Sequence, residues 1–151
     1  MRILVLNGPN LNLLGTREPD IYGERSYGEI VAAIEEHCRR RGVRVEVRQS
    51  NHEGILVDYI QEAADGFDGI VINPAAYTHT SVALLDAVRA VGLPTVEVHL
   101  SDPDKREAFR RVSYIREACV ATFKGRGCAG YLEAVDYLLD PTAGRRGRAT
   151  T

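Results

Sequence analysis

Short apolar runs alternate along the chain with longer segments in which apolar residues recur at helical spacing. The runs predict five strands, at 3–6, 43–47, 69–72, 95–98 and 118–123. The longer segments predict helices at 27–41, 54–65, 104–111 and 130–139, and another that Thr78 or Thr80 caps and that ends at Val91. Five such repeats favour an α/β fold with one doubly wound parallel sheet in the order 2-1-3-4-5.

The composition is that of an ordinary globular domain. The chain has 151 residues, of which 44% are hydrophobic and 26% charged, and its formal net charge is −2. A chain this close to neutral gives no reason to expect a nucleic-acid partner. We expect residues 1–143 to form a single domain and residues 144–151, with their three arginines, to be a disordered basic tail.

The sequence does not favour membrane insertion, disulfides or a metal site. No run approaches the ~18 apolar residues that span a bilayer, and the amino-terminal run is too short for a secretory signal, so we expect a soluble, cytoplasmic protein. Cys38, Cys119 and Cys128 are widely spaced and form no CxxC pair. The histidines form no HxH or HExxH pattern, so we expect no bound metal.

Polar residues are concentrated where the predicted strands end, which is where folds of this class bind ligands. The loop after the first strand is long, contains several glycines and prolines, and carries Arg17 and Tyr22 as its reactive groups. Long loops of this kind are often lids, and we favour that interpretation over a surface loop with a packed tyrosine. The loop lacks the glycine and lysine pattern of known phosphate-binding loops.

Glu97 and His99 alternate on the predicted fourth strand, so their side chains point to the same face. A carboxylate beside an imidazole fixes its tautomer and favours its protonated form, which suits a proton donor. The alternative is a structural Glu–His pair in the core.

Two further cationic groups follow the same strand. Arg106 and Arg110 are four residues apart on a predicted helix, so they would share a face and could bind a carboxylate or stabilise a tyrosinate. A solvated basic face is the alternative. His79 is predicted at a helix start, where free N–H groups bind anions, although helix capping alone would explain the surrounding threonines.

Four segments closely resemble type II 3-dehydroquinate dehydratases in order and spacing: NGPNLNLLGTREPDIYG, QSNHEG, INPAAYTHTS, and VEVHLSDPDKREAFR followed by SYI. The resemblance covers about residues 2–139. It implies a flavodoxin-like fold, reversible dehydration of 3-dehydroquinate to 3-dehydroshikimate in the shikimate or quinate pathway, no cofactor, and a dodecamer built as four trimers.

The resemblance also implies roles for individual residues. Tyr22 corresponds to the base, Arg17 to the arginine that activates it, His99 to the acid and Glu97 to the residue that holds the acid. Asn10 corresponds to the residue that positions a water on the enolate oxygen. The positions that correspond to substrate-binding or other active-site residues are Asn73, His79, Leu100, Ser101, Arg106 and Arg110. Asp86 corresponds to a residue that reaches a neighbouring subunit's site.

The chain departs from the family pattern at several positions. Ala75 replaces the usual glycine of NPGAY, Asp102 the usual asparagine, and Leu85 a common arginine. Segments 103–105 and 124–130 are also unusual. These changes spare the acid and the base, and bear on loop geometry, substrate affinity and subunit contacts.

Other functions remain alternatives at this point. A Schiff-base mechanism is disfavoured because it needs an activated lysine, and the chain has only Lys105 and Lys124. A flavin- or nucleotide-binding module on the same fold, and an inactive paralogue that retains the site residues, are the two alternatives to a dehydratase.

Overall fold

The computed structural model describes residues 1–16, 19–22, 25–140 and 142, and only the backbone of Pro19 and Tyr22. A five-stranded sheet in the order β2-β1-β3-β4-β5 occupies its centre, and every neighbouring pair is parallel. The strands are β1 Arg2–Asn7, β2 Arg44–Gln49, β3 Gly69–Asn73, β4 Thr95–His99 and β5 Ala121–Lys124. The predicted fold class and strand order are confirmed.

Helices cover both faces of the sheet. They are α1 Pro19–Tyr22, α2 Tyr27–Arg40, α3 Glu53–Glu62, α4 Val82–Val91 and α5 Ala129–Leu139. Because side chains alternate along a strand, Ile3 and Val5 pack with α2 and α5, whereas Leu4 and Leu6 pack with α3 and α4. β3 and β4 are buried on both faces, which explains the apolar run of β3, whereas β4 also buries Glu97 and His99.

Local capping decides where two helices begin. The Ser26 hydroxyl accepts a hydrogen bond from the Glu29 N–H at 3.2 Å and caps α2, as the sequence predicts. The predicted cap of α4 is wrong: Ser81, rather than Thr78 or Thr80, accepts the Leu84 N–H at 3.0 Å. The two threonines lie instead in and just after a 3₁₀ helix, Ala75–His79, which leads from β3 towards α4.

The predicted helix at 104–111 is also wrong. Two separate 3₁₀ turns, Pro103–Lys105 and Ala108–Arg111, take its place, with Arg106 in an extended conformation between them. Each turn is closed by its own short-range bonds, and neither is long enough to offset the cost of starting an α-helix. Arg106 and Arg110 therefore do not share a helix face.

The fifth strand begins at Ala121, later than predicted, because Ile115–Ala118 forms another 3₁₀ turn. Within the described part of the chain, no helix is long and apolar enough to cross a membrane. The proposed tail at 144–151 lies outside the described residues.

Candidate active site

A pocket of about 520 Å³, counted out to its open mouth, lies beyond the carboxyl ends of β1, β3 and β4. The structure brings most of the predicted site residues to its wall: Asn10, Asn73, His79, His99, Leu100, Ser101, Arg106 and Arg110. Pro9, Leu11, Ala75, Ala76 and Pro103 complete the lining.

His99 is held on the pocket wall by the carboxylate beneath it. Both residues are buried at the end of β4, and the His99 Nε2–H donates to Glu97 Oε1 at 2.9 Å. The predicted Glu97–His99 pair is therefore present. With Nε2 bound to the carboxylate, Nδ1 is the ring nitrogen that can act on a molecule in the pocket.

Glu97 is a fully buried carboxylate with several donors. Arg116 forks onto it, with Nε and Nη2 each 3.1 Å from a carboxylate oxygen, and the Ser113 hydroxyl donates at 2.7 Å. Burial alone would raise the pKa of the Glu97 carboxyl, but the hydrogen bonds and charges of His99 and Arg116 outweigh it and lower the pKa to about 2. The carboxylate is therefore ionised throughout the neutral range.

His79 lines the same pocket as His99. Its Nδ1–H donates to the Val112 carbonyl at 2.7 Å. Burial lowers the pKa of His79, and the nearby charges of His99 and Arg110 lower it further. A neutral His79 with a proton on Nδ1 leaves Nε2 as a hydrogen-bond acceptor.

Asn73 belongs to a buried chain of neutral hydrogen bonds. Its Nδ2 donates to the Tyr131 hydroxyl at 3.0 Å, and that hydroxyl donates to Asn7 Oδ1 at 2.6 Å. The Asn73 Oδ1 accepts the Ala75 N–H at 3.1 Å, which fixes both ends of its amide. The chain determines which side of Asn73 faces the pocket.

The two unusual segments, 102–105 and 124–130, meet beside the pocket. The Gly125 and Gly127 N–H groups donate to the carbonyls of Ser101 and Leu100, each at 3.0 Å. Lys124 forms an ion pair with Asp104. Segment 124–130 therefore holds the backbone of Leu100 and Ser101 in place beside the pocket.

The two pocket arginines come from the segment that replaces the predicted helix, with Arg110 in the second 3₁₀ turn and Arg106 between the two turns. The Arg110 Nε donates to Glu107 at 2.8 Å, and its guanidinium lies 5.1 Å from the centre of the Phe109 ring. Arg106 is mostly buried against the pocket. They reach the same pocket without sharing a helix.

The first residues of the loop after β1 are packed against the protein, with Gly8 and Leu11 buried. Asn10 has a left-handed backbone (φ 68°), and its N–H donates to Asn51 Oδ1 at 3.0 Å. The Gly8 N–H donates to the Asn73 carbonyl, and a side chain on Gly8 would come within 2.3 Å of the Pro74 carbonyl oxygen. A phosphate would need these N–H groups free, and the protein already uses them.

Besides Glu97, which lies beneath His99, three predicted residues are not among the described residues that line the pocket. Arg17 and the side chain of Tyr22 lie outside the described residues, although the backbone of α1 ends at Tyr22. Asp86 is exposed on α4 and does not line this chain's pocket. In the described parts of the chain, no three His, Cys, Asp or Glu residues are grouped so that they could hold a metal ion.

Four residues that shape the site were not predicted from the sequence: Arg116, Ser113, Tyr131 and Asn7. A signal existed for Asn7, because Asn7 and Asn73 both end apolar strands, and the two strands prove to be neighbours in register. A buried glutamate also demands donors, but nothing local to Glu97 indicates that they come from residues 113–116.

Comparison with known proteins identifies the relatives of this chain. The sequence profile of the family described as dehydroquinase class II matches residues 1–139. The chain is 53% identical over 143 residues to 3-dehydroquinate dehydratase 1 of Ralstonia nicotianae, which covers 94% of this chain and 92% of that one. It is 55% identical over 139 residues to 3-dehydroquinate dehydratase of Corynebacterium glutamicum, with 92% and 96% covered. The crystal structure of type II dehydroquinase from Butyrivibrio crossotus superposes with a TM-score of 0.92 at 48% identity, covering 93% of this chain and 98% of that one.

Proposed function

The chain belongs to the class II dehydroquinase family and is a hydro-lyase, and on that premise we propose that it converts 3-dehydroquinate to 3-dehydroshikimate without a cofactor. Tyr22 removes the proton next to the ketone, and an enolate forms. His99 then protonates the departing hydroxyl. This step belongs to the shikimate or quinate pathway.

The observation that carries the proposal is the buried Glu97–His99 pair on the pocket wall. Hydroxide is a poor leaving group, so it needs a proton donor. The carboxylate fixes the tautomer and angle of the imidazole, and this positioning is what a general acid requires. A simple core pair is less consistent with the opening of His99 onto the pocket.

The proposed base needs help from its surroundings. A free phenol has a pKa near ~10, so only about one in a thousand is ionised at neutral pH. A guanidinium close to the phenol favours the phenolate, and we assign this role to Arg17. Closure of the loop that carries both residues would exclude water and strengthen the interaction.

The rest of the pocket would hold the substrate. The backbone N–H groups of Leu100 and Ser101, with the Ser101 hydroxyl, bind the carboxylate. Asn10 holds a water against the developing enolate oxygen, an oxyanion-type role. Asn73, His79, Arg106 and Arg110 bind or steer the ring and its hydroxyls.

An ultraviolet assay for the conjugated product tests the activity directly. We expect the wild-type enzyme to form the enone from 3-dehydroquinate, and Tyr22→Phe and His99→Ala each to lose about 10²–10⁴ in kcat. His52→Ala is the matched control, because the exposed His52 side chain makes no capping bond and does not line the pocket. Near-normal kcat in Tyr22→Phe would place the base elsewhere.

Borohydride trapping separates this mechanism from imine chemistry. Lys124 is paired with Asp104, and Lys105 is exposed, so neither is the desolvated amine that a Schiff base needs. We expect borohydride with substrate to leave activity intact. A lysine adduct would overturn the mechanism. Yellow purified protein would instead favour the flavin-binding alternative, and colourless folded protein with no turnover would favour the inactive paralogue.

We further propose that the enzyme is a homo-oligomer, a dodecamer of four trimers. Phe109, in the Ala108–Arg111 turn, and Val112 and Tyr114, which follow it before the next turn, are exposed apolar side chains close together in the chain, which is unusual for a free surface. Asp86 shares a helix face with the exposed Val82, so that face could reach a neighbour's pocket. Light scattering should give the mass of twelve chains, and Phe109→Glu should reduce it. A monomeric wild-type enzyme with full activity would contradict this assignment.

A cytoplasmic location is the last part of the proposal. Cys38, Cys119 and Cys128 are all free thiols, as expected in a reducing compartment. Fractionation of the source cells should recover the protein with other cytoplasmic enzymes, and recovery from an oxidising compartment would contradict this location.

A further inference from the structure

Arg116 lies outside the pocket lining but is bound to the group that holds the proposed acid. It lies in the Ile115–Ala118 turn and forms a bidentate interaction with Glu97, in which Nε and Nη2 each lie 3.1 Å from one carboxylate oxygen. One of these oxygens, Oε1, also accepts the His99 Nε2–H at 2.9 Å. A guanidinium and an imidazole therefore share one buried carboxylate oxygen.

The shared oxygen changes the charge balance around His99. A buried carboxylate alone would stabilise a protonated imidazole strongly, and a strongly held proton makes a weak acid. A second cation on the same carboxylate takes up part of its negative charge and also repels the imidazolium. The proton on His99 is then easier to release to a leaving group.

We propose that Arg116 is a positioning residue that fixes the Glu97 carboxylate against His99 and makes His99 a stronger proton donor. This inference rests on the proposed role of His99 as the acid. Arg116 itself touches neither substrate nor reacting atoms, since it does not line the pocket. Its effect passes through Glu97.

The other groups around the pair differ from Arg116 in charge or in position. The Ser113 and Thr122 hydroxyls bind Glu97 but carry no charge. The pKa of the Cys119 thiol is raised, first by burial and then by Glu97, so it stays neutral. His79 and Arg110 line the pocket and bind the Val112 carbonyl and Glu107, and Lys124, in register with His99, is paired with Asp104. None of these places a second positive charge on the Glu97 carboxylate, as Arg116 does.

The pH profile of kcat/KM tests the proposal. Arg116→Gln removes the charge, so we expect the limb on which activity falls at high pH to move up by about one pH unit. We also expect kcat at neutral pH to fall several-fold while KM stays near the wild-type value. Arg116→Lys keeps the charge but loses the fork, so its limb should stay in place while kcat falls.

Arg39→Gln is the matched control. Arg39 also forks onto a glutamate, with two 2.8 Å bonds to Glu36, but both side chains are on the surface. This variant loses the same charge and should keep the wild-type profile. A shifted pH profile in Arg39→Gln would mean that the effect comes from net charge, and it would overturn the proposal.

If folded Arg116→Gln keeps the high-pH limb of the wild-type kcat/KM profile, Arg116 has only a structural role and the proposal is wrong. If that variant does not fold, Arg116→Lys decides: a profile and kcat equal to wild type, or a limb that moves upward, overturns the proposal. Absence of dehydratase activity in the wild type would contradict the proposed function. An active enzyme in which substitution of Arg116 has no effect on the pH profile or kcat would contradict this inference alone.

Discussion

At the carboxyl edge of the sheet, two groups of polar residues are buried in opposite ways. At the ends of β1 and β3, Asn7, Asn73 and Tyr131 form an amide half made only of neutral groups. At the end of β4, Glu97 and His99, with Arg116, form a charged half. Asn7, Asn73, Tyr131, Glu97 and His99 are all buried, and the halves lie on adjacent strands.

The two halves differ in what they can do: the amide half fixes geometry, and the charged half supports proton transfer. The amide half has no group that titrates near neutral pH, and burial raises the pKa of the Tyr131 phenol further. It can hold Asn73 in one orientation at any working pH. The charged half must supply several donors to one carboxylate, since a buried charge without partners costs several kcal/mol. In return it places a proton donor on the pocket wall.

The largest effect should come from neutralising the charged half. Glu97→Gln leaves Arg116 and His99 without their counter-charge, so we expect a loss of about 3–5 kcal/mol in the free energy of unfolding, and a severe loss of kcat. Urea unfolding at neutral pH and the enone assay measure the two effects. Glu36→Gln removes a carboxylate that also binds two arginines, but on the surface, and should unfold close to wild type. Equal losses in both variants would mean that burial does not matter here.

The stability of wild type relative to the same variant should depend on pH, with a sign that follows from the Glu97 pKa. The Glu97 pKa is about 2 in the folded protein against an ordinary value of 4.5. As the pH falls from about 4.5 to 2, the unfolded chain takes up this proton before the folded chain does, so folding loses stability. The stability gap, which is the difference in the free energy of unfolding between wild type and Glu97→Gln, should be largest above pH 5. It should decrease by about 3 kcal/mol towards pH 2. A gap that stays constant over this range would contradict the ionised, stabilised carboxylate.

The fold was predictable because it rests on local signals. Apolar runs, a capping serine at Ser26 and helix-ending glycines report strands and helices residue by residue, and the crossover rule limits the topology. The errors occurred where a short segment had competing options. Ser81 outcompeted Thr78 and Thr80 as a cap, and residues 104–111 closed two 3₁₀ turns instead of one helix.

The site was predictable only in part. Strand alternation correctly paired Glu97 with His99, and motif resemblance pointed to most residues that line the pocket. Arg116 and Tyr131 could not be derived, because they act from other elements through contacts that form only on folding. The two halves therefore differ here as well: the central pair of the charged half is local, whereas the amide half joins β1, β3 and α5.

A smaller effect should come from breaking the amide half. Tyr131→Phe leaves the Asn73 Nδ2–H and Asn7 Oδ1 without their shared partner, so we expect a loss of about 1–3 kcal/mol in the free energy of unfolding. Unlike the Glu97→Gln gap, this loss should be the same at pH 4 and pH 8. Tyr137→Phe, on the same helix, removes a longer 3.3 Å bond to the Val120 carbonyl and should cost far less. A Tyr131→Phe loss that varies strongly with pH would show that the amide half is not neutral.

The smallest effect concerns the residue that the amide half holds in place. Ala75 has a left-handed backbone, with φ 53°, and its N–H is bound to Asn73 Oδ1. This conformation costs a non-glycine residue about 1–2 kcal/mol. Ala75→Gly relieves that strain but adds freedom to the unfolded chain, so we expect a net gain of about 0.5–1 kcal/mol in the free energy of unfolding.

Its neighbour supplies a control of opposite sign. Ala76 is exposed in the same 3₁₀ helix and has no positive φ, so Ala76→Gly should destabilise by about 0.5–1 kcal/mol. Thermal unfolding of the two variants beside wild type gives the comparison directly. If both glycines destabilise equally, residue 75 does not adopt the left-handed conformation, and the amide half does not impose it. Opposite signs would mean that Asn73 holds a strained turn at the pocket wall, which glycine at residue 75 would adopt at lower cost.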